Sequence, residues 1–409
     1  MTEIDYVLLA AGNGKRLWPI TEHCAKTMVR VLEKPLLEWI VEAIYDKANR
    51  IIIVIGAHRD SVIGHFSASK YKDKIIFVEQ TEQKGTGHAV LQTEPYIGAD
   101  KFVVINADTF SDPKIYDLIA QNSADGAFIL GKTVPDGSKY GVLEEKNGKL
   151  IRIVEKPPVA QNVEINTGTY CVPIAFFDYL RNLKLSPRGE YEVTDALTLF
   201  AAENTLKVVP FESYWNDVGY FWNLLDVTQY ALEHLMKEKK DKGANVENTV
   251  VVKGKLHIGK NSKVVGPSRI EGNVYIGDNC SIGPHALLKD CALEEKCAVG
   301  SSEVKRSVLM KGVKALHFTH ITDSIICPEV NFGAGSQVAN LRFDKSEVNV
   351  EISGKTVASH LKKLGTTIGE KTNIGCNAVI YPGKLVGSNC TIYANKTVEK
   401  NLESNATCK

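Results

Sequence analysis

The chain has 409 residues, 24% of them charged and 44% hydrophobic, with a formal net charge of +1. One hydrophobic core seldom grows to that length, so two domains are expected, and the near-neutral charge excludes a basic field for capturing nucleic acid. Nine cysteines occur without a CxxC pair, Met1-Thr-Glu-Ile-Asp-Tyr enters an apolar strand without a basic leader, and no apolar run reaches the roughly 18 residues of a membrane span, which disfavours a disulfide framework, a structural zinc site, a secretory signal and a membrane anchor and makes the cytoplasm the expected compartment.

Up to about residue 235, short apolar runs alternate with amphipathic stretches, at Tyr6–Ala10, Leu36–Tyr45, Ile51–Ile55, Ile75–Val78 and Phe102–Asn106. Strands alternating with helices imply an α/β domain with a mainly parallel sheet covered on both faces. Leu224–Lys240 reads as a helix running into Lys237-Glu-Lys-Lys-Asp-Lys-Gly243, a solvated linker over 236–245 rather than a binding patch. The predicted domains are therefore 1–235 and 246–409.

Beyond the linker, aliphatic residues recur every sixth position at Val246, Val252, Ile258, Val264, Ile270, Ile276, Ile282 and Leu288. The spacing slips at Leu293 and Val299, reappears at Ile326, Phe332 and Val338, and resumes from Ile368 to Val398. A period of six suits neither an α-helix nor a simple strand. It suits a solenoid whose triangular coils each contain three short strands, with the aliphatic side chains stacked inward from coil to coil. Cys280, Cys297 and Cys390 share one repeat position and read as small core residues. The polar stretch 341–363, with Lys345, Lys355 and His360, interrupts the repeat without disturbing either side, as an extruded loop would.

The first strand is followed by Ala11-Gly12-Asn13-Gly14-Lys15-Arg16, then Lys26. A glycine-rich turn lets backbone N–H groups approach phosphate, and Arg16 and Lys26 balance the charge of a triphosphate. It is neither a Walker loop nor the dinucleotide fingerprint, since GK[ST] is absent and position 17 is Leu. The longer pattern, Leu9-Ala-Ala-Gly-Asn-Gly-Lys-Arg-Leu17 with Pro19, Thr21 and Lys26, resembles the signature of the sugar nucleotidylyltransferases. Ala25 departs from it, where that family usually has Pro.

The resemblance implies a Rossmann-like, mainly parallel mixed sheet followed by a left-handed parallel β-helix. It places Leu9, Ala11, Gly12, Gly14, Arg16 and Lys26 around the triphosphate, and Gln80, Gly85 and Thr86 on the base. It further implies that Tyr140, Gly141, Glu155, Lys156 and Asn166 hold the sugar phosphate, and that Asp108 and Asp217, in Asn106-Ala-Asp108 and Trp215-Asn-Asp217-Val-Gly219, hold Mg²⁺. An isolated Asp at a strand end is commonly a turn residue, but the surrounding motifs favour the ligand role here. His88, at an expected helix start, reads as a packed or capping residue.

The C-terminal repeat is similar to that of bifunctional uridyltransferase and glucosamine-1-phosphate acetyltransferase enzymes and their archaeal relatives. The match runs from Ser302-Glu-Val-Lys305 through His317-Phe-Thr-His320 to Asn331 and Asn340. It implies a homotrimer using acetyl-CoA, with His317 as general base and Lys289, Lys305, His320, Asn331 and Asn340 on the sugar phosphate. Lys289 stands where the family usually has Arg, losing bidentate phosphate geometry, and His320 where it has Tyr. Two alternatives stay open: a β-helix that serves only as a trimerisation or regulatory scaffold, and a non-enzymatic sensor of nucleotide sugars. The implied substrates are UTP or dTTP with a glucose-type or N-acetylglucosamine-type sugar-1-phosphate.

Overall fold

The computed structural model describes residues 4–409, so the reading of the first three residues lies outside it. Two compact units emerge: one takes residues up to Asn13, Ala25–Met28 and Pro35–Asp217, the other Gly14–Cys24, Val29–Lys34 and Val218–Lys409.

In the first unit, a nine-stranded mixed sheet forms the centre. Ile75–Glu79, Arg50–Ile55, Asp5–Leu9 and Lys101–Asn106 lie side by side in parallel, built from β-branched runs that are buried on both faces in the inner three strands and part-buried in Ile75–Glu79 at the edge. Gln161–Pro173 continues the sheet antiparallel to Lys101–Asn106. The amphipathic helix Leu36–Ile44 buries Leu37, Ile40, Val41 and Ile44 against one face, while Phe176, Phe177 and Phe200 fill the other. Such a sheet exposes strand ends and the turns after them, where ligands bind in open α/β folds.

The second unit is a parallel β-helix. Val264 pairs with Ile282 and Thr367 with Leu385, an advance of 18 residues, or three hexads, per coil. The hexad residues from Ile258 to Val398 form one buried cluster that includes Leu293 and Val299. Where the repeat slips the coils are merely shorter: Leu287 pairs with Glu303 and Ala298 with Lys314, 16 residues on. Val252, in the terminal coil, is 40% exposed because only one side of it is stacked. Cys280, Cys297 and Cys390 are buried, each thiol directed at a main-chain carbonyl of the next coil. Gly333 marks a close approach between coils, since a Cβ there would lie 2.6 Å from the nitrogen of Cys376.

The extruded segment is closed at its base by an antiparallel bridge between Leu341 and Lys363 and contains the hairpin Asn349–Ile352 with Lys355–Ala358. The helix expected over Leu224–Lys240 is shorter. It spans Phe221–Tyr230, ends in a wide turn at Ala231–Leu235, and gives way to Lys239–Lys240, which pairs in parallel with His257 and Ile258. Helix-favouring Glu and Lys were overridden by a coil needing a strand there. Among the described residues, no helix is long and apolar enough to cross a membrane.

Leu288 sits between Ile270 and Val304 of the adjoining coils and is fully buried. Leu288→Ala is expected to destabilise the β-helix by about 2–5 kcal/mol, whereas Val252→Ala should cost under about 1 kcal/mol, being half-exposed. Denaturant unfolding of both variants checks the contrast.

Candidate active sites

In the first unit, a cavity of about 320 Å³ opens beyond the end of Asp5–Leu9. Its walls include Leu9, Ala11, Gly12, Lys26, Gln80, Gly85, Thr86 and Asp108, eight of the residues expected there, together with Asn13, Thr27, Gln83, Ala89, Asn106 and Glu190. A Cβ on Gly12 would meet no atom within 4 Å, so its backbone is open to a close-lying ligand. Gln83 ties the turn down, donating to the Ala11 carbonyl at 2.7 Å and to Asn13 Oδ1 at 3.0 Å. Gly85 has φ 106°, and a Cβ there would lie 2.6 Å from the Tyr191 carbonyl, so only glycine lets this turn pack on the Tyr191 loop. Thr86 Oγ1 accepts from the Val193 N–H at 3.1 Å.

The charged centre is Lys26. Its side chain is 7% exposed, and its Nζ lies 2.6 Å from Asp108 Oδ2 and 3.7 Å from Asp217 Oδ1. A two-strand ladder explains how residues so far apart in sequence meet: Trp215–Asp217 pairs antiparallel with Thr109–Ser111, setting Asp217 opposite Thr109. Asp108 and Asp217 thus converge on one cation. Their donors are all oxygens, which suits Mg²⁺, an ion that takes carboxylates and completes its shell with water and substrate phosphate.

Tyr140, Gly141, Glu155 and Lys156 meet on one hairpin, where Gly141 pairs with Glu155 and the Lys156 N–H donates to the Tyr140 carbonyl at 2.9 Å. Tyr140 stands edge-on to Trp215, ring centres 5.7 Å apart, and Asn166 Oδ1 accepts from the Gly168 N–H. None of these five lines the cavity itself. Gly14 and Arg16 fall in the second unit, where the Arg16 guanidinium lies 5.3 Å from the centre of the Tyr220 ring.

In the β-helix, the long strands Ala298–Lys305 and Lys314–Thr322 run parallel and set His317 beside Ser301 and His320 beside Glu303. Lys289 is in register with Lys305 on the adjoining strand. Glu303, absent from the expected site, bridges Lys305 and His320, the latter with Nδ1 at 3.3 Å. Burial acts to raise the Glu303 carboxyl, but the hydrogen bond and charge of Lys305, with His320, outweigh it and hold the group ionised below its ordinary range. Asn340 donates to Asp323 Oδ2 at 2.6 Å, and Arg306 pairs with the other oxygen at 2.9 Å. Asn331 is exposed, pairing with Lys314. His317 is exposed between Leu316 and Phe318, which are 39% and 73% exposed.

Residues 6–234 match the nucleotidyl transferase family. The chain belongs to that family. Residues 283–362 of this nucleotidyl transferase also match the GlmU-like C-terminal hexapeptide family. The bifunctional sugar-1-phosphate nucleotidylyltransferase/acetyltransferase of Sulfurisphaera tokodaii is 37% identical over 402 residues, covering 97% of each chain. The bifunctional protein GlmU of Methanococcus vannielii is 37% identical, with 98% of this chain and 96% of the relative covered. Among solved structures, UDP-glucose pyrophosphorylase complexed with UDP-glucose aligns with a TM-score of 0.52 and 26% identity, over 57% of this nucleotidyl transferase and 99% of that chain. A putative glucose-1-phosphate thymidylyltransferase from Bacillus anthracis aligns with a TM-score of 0.52 and 28% identity, over 58% and 98%.

Proposed function

We propose that the chain moves a nucleotidyl group from UTP or dTTP to glucose-1-phosphate or N-acetylglucosamine-1-phosphate, releasing pyrophosphate, and that its β-helix acetylates an amino sugar 1-phosphate with acetyl-CoA. The observation that carries the first activity is the convergence of Asp108 and Asp217 on Lys26, which together with Asp108 and Gly12 lines the cavity.

The sugar phosphate is already an anionic nucleophile. One of its oxygens attacks the α-phosphorus and pyrophosphate leaves, so no general base is required and the chain supplies position and charge. Asp108 and Asp217 would hold Mg²⁺, which when bound neutralises negative charge on the phosphate oxygens. Lys26 is assigned to phosphate oxygens, and the Tyr140 to Lys156 hairpin with Asn166 to the sugar phosphate. A matrix of triphosphates against sugar-1-phosphates, with products identified by mass, tests this; no nucleotide sugar from any pair would overturn it.

In the second activity, His317 takes a proton from the amino group, the nitrogen bonds to the acetyl carbon, and the thioester C–S bond breaks to release CoA, whose sulfur takes up the proton. Lys289, Lys305, His320, Asn331 and Asn340 are assigned to placing the sugar phosphate, and Lys345 and Lys355 of the extruded segment to completing the site.

The exposed apolar pair Leu316 and Phe318, beside His317, supports association through the β-helix as a homotrimer or a multiple of one. Sedimentation at micromolar concentration should give at least a trimer for the full chain and a smaller species for a truncation after about residue 235. A monomeric full chain would contradict this.

A further inference from the structure

Gln80 follows the strand Ile75–Glu79, lines the cavity and is 6% exposed. Its carboxamide nitrogen is fully engaged: Nε2 donates to the Gly85 carbonyl at 3.0 Å and faces His88 Nδ1 at 3.2 Å. A carbonyl oxygen accepts only, so Gly85 fixes which end of the amide is nitrogen. His88 Nδ1 must then be the acceptor, and the imidazole is neutral with its proton on Nε2. The Gln92 carboxamide lies 3.3 Å from that Nε2. One neutral ring cannot accept at both nitrogens, so Gln92 turns its oxygen to the Nε2–H.

This chain of contacts leaves the Gln80 oxygen accepting no hydrogen bond among the described residues. At that point the cavity wall therefore presents an acceptor.

We propose that His88 is a positioning residue for base choice: its Nδ1 holds Gln80 so that Oε1 accepts from a ring N–H of the base, favouring uracil or thymine over cytosine, whose corresponding ring nitrogen is itself an acceptor. The inference rests on the UTP or dTTP reading above and adds to it the group that sets the selectivity. A protonated His88 would direct an N–H at the Gln80 amide, turning it over so that an NH₂ meets the base instead. Burial first, then Lys84, lowers the pKa of His88, opposed by Glu82, which keeps the ring neutral at physiological pH. Across the turn, the backbone of Tyr191 and the Cβ of Glu190 pack against Gly85, and Glu192 is paired with Arg188.

The test compares His88→Ala with His88→Asn, whose Oδ1 restores an acceptor near the Nδ1 position, using pyrophosphate release from UTP, dTTP and CTP by the full chain. In His88→Ala the ratio of kcat/KM for UTP over CTP should fall about tenfold or more, the factor carried by one misplaced hydrogen bond. The loss should sit in KM, with kcat for UTP little changed. His88→Asn should keep the wild-type ratio. In the wild type, KM for UTP should rise as pH falls through the depressed His88 pKa, and His88→Asn should lack that rise; this holds even if His88→Ala fails to fold. An active His88→Ala enzyme with unchanged selectivity would overturn the role of His88 alone. A wild type that releases no pyrophosphate from UTP or dTTP would overturn the transferase reading and this inference with it.

Discussion

Asp217→Ala is expected to lower Mg²⁺-dependent pyrophosphate release by about 10³-fold or more. The carboxylate is one of two that converge on Lys26 and would hold Mg²⁺, and a bound metal's stabilisation of developing phosphoryl charge is worth several kcal/mol, each 1.36 kcal/mol being about tenfold in rate. The fold should survive, because Asp217 sits in its ladder through backbone pairing with Thr109 and Lys26 keeps Asp108 as a partner 2.6 Å away. Asp108→Ala should act alike. Near wild-type turnover of Asp217→Ala at saturating Mg²⁺ would show that one carboxylate suffices and that the pair was misassigned.

His317→Ala is expected to lower CoA release by about 10² to 10⁴-fold, the usual contribution of a positioned general base, and to leave pyrophosphate release unchanged. His320→Ala is the informative control. Its Nδ1 lies 3.3 Å from the Glu303 carboxylate, a contact that orients the ring. A large loss in His320→Ala with little in His317→Ala would move the base to the second histidine. No CoA release by the wild type with either glucosamine-1-phosphate or galactosamine-1-phosphate would instead favour a β-helix that is only a scaffold.

The β-helix was legible because its period is local in the sequence: each hexad residue must face inward, and Ile258 to Leu288 do so. The same rule explains the closure of the extruded segment at Leu341 and Lys363, where the repeat stops and restarts. Shortened coils were harder to see, since Leu293 and Val299 keep their inward place while the intervening corners lose residues. The helix over Leu224–Lys240 was overextended because nothing local in Lys237–Lys240 announces a strand whose partner lies 18 residues on.

At the sites, contiguous motifs were readable and juxtapositions were not. Gly12, Gln80, Gly85 and Thr86 come from short segments with strong turn chemistry, and they meet at the cavity. Gln83 lay within the same segment, but its hold on the Ala11 carbonyl depends on a tertiary contact. Glu190 reaches the cavity from a loop that carries no motif, brought there by the packing of Tyr191 on Gly85 and by the backbone hydrogen bonds of Tyr191 with Lys84 and Gly87. Glu303 had a local signal after all, since it stands two residues before Lys305 on one strand, and alternate residues share a face.

The two transferase centres assigned to this chain are expected to act independently of each other. The most direct test follows pyrophosphate release and CoA release in parallel on one preparation each of wild type, Asp217→Ala and His317→Ala. Both products are expected from the wild type, with Asp217→Ala losing only pyrophosphate release and His317→Ala losing only CoA release. A wild type that makes just one product, or a variant that loses both while folding normally, would contradict it.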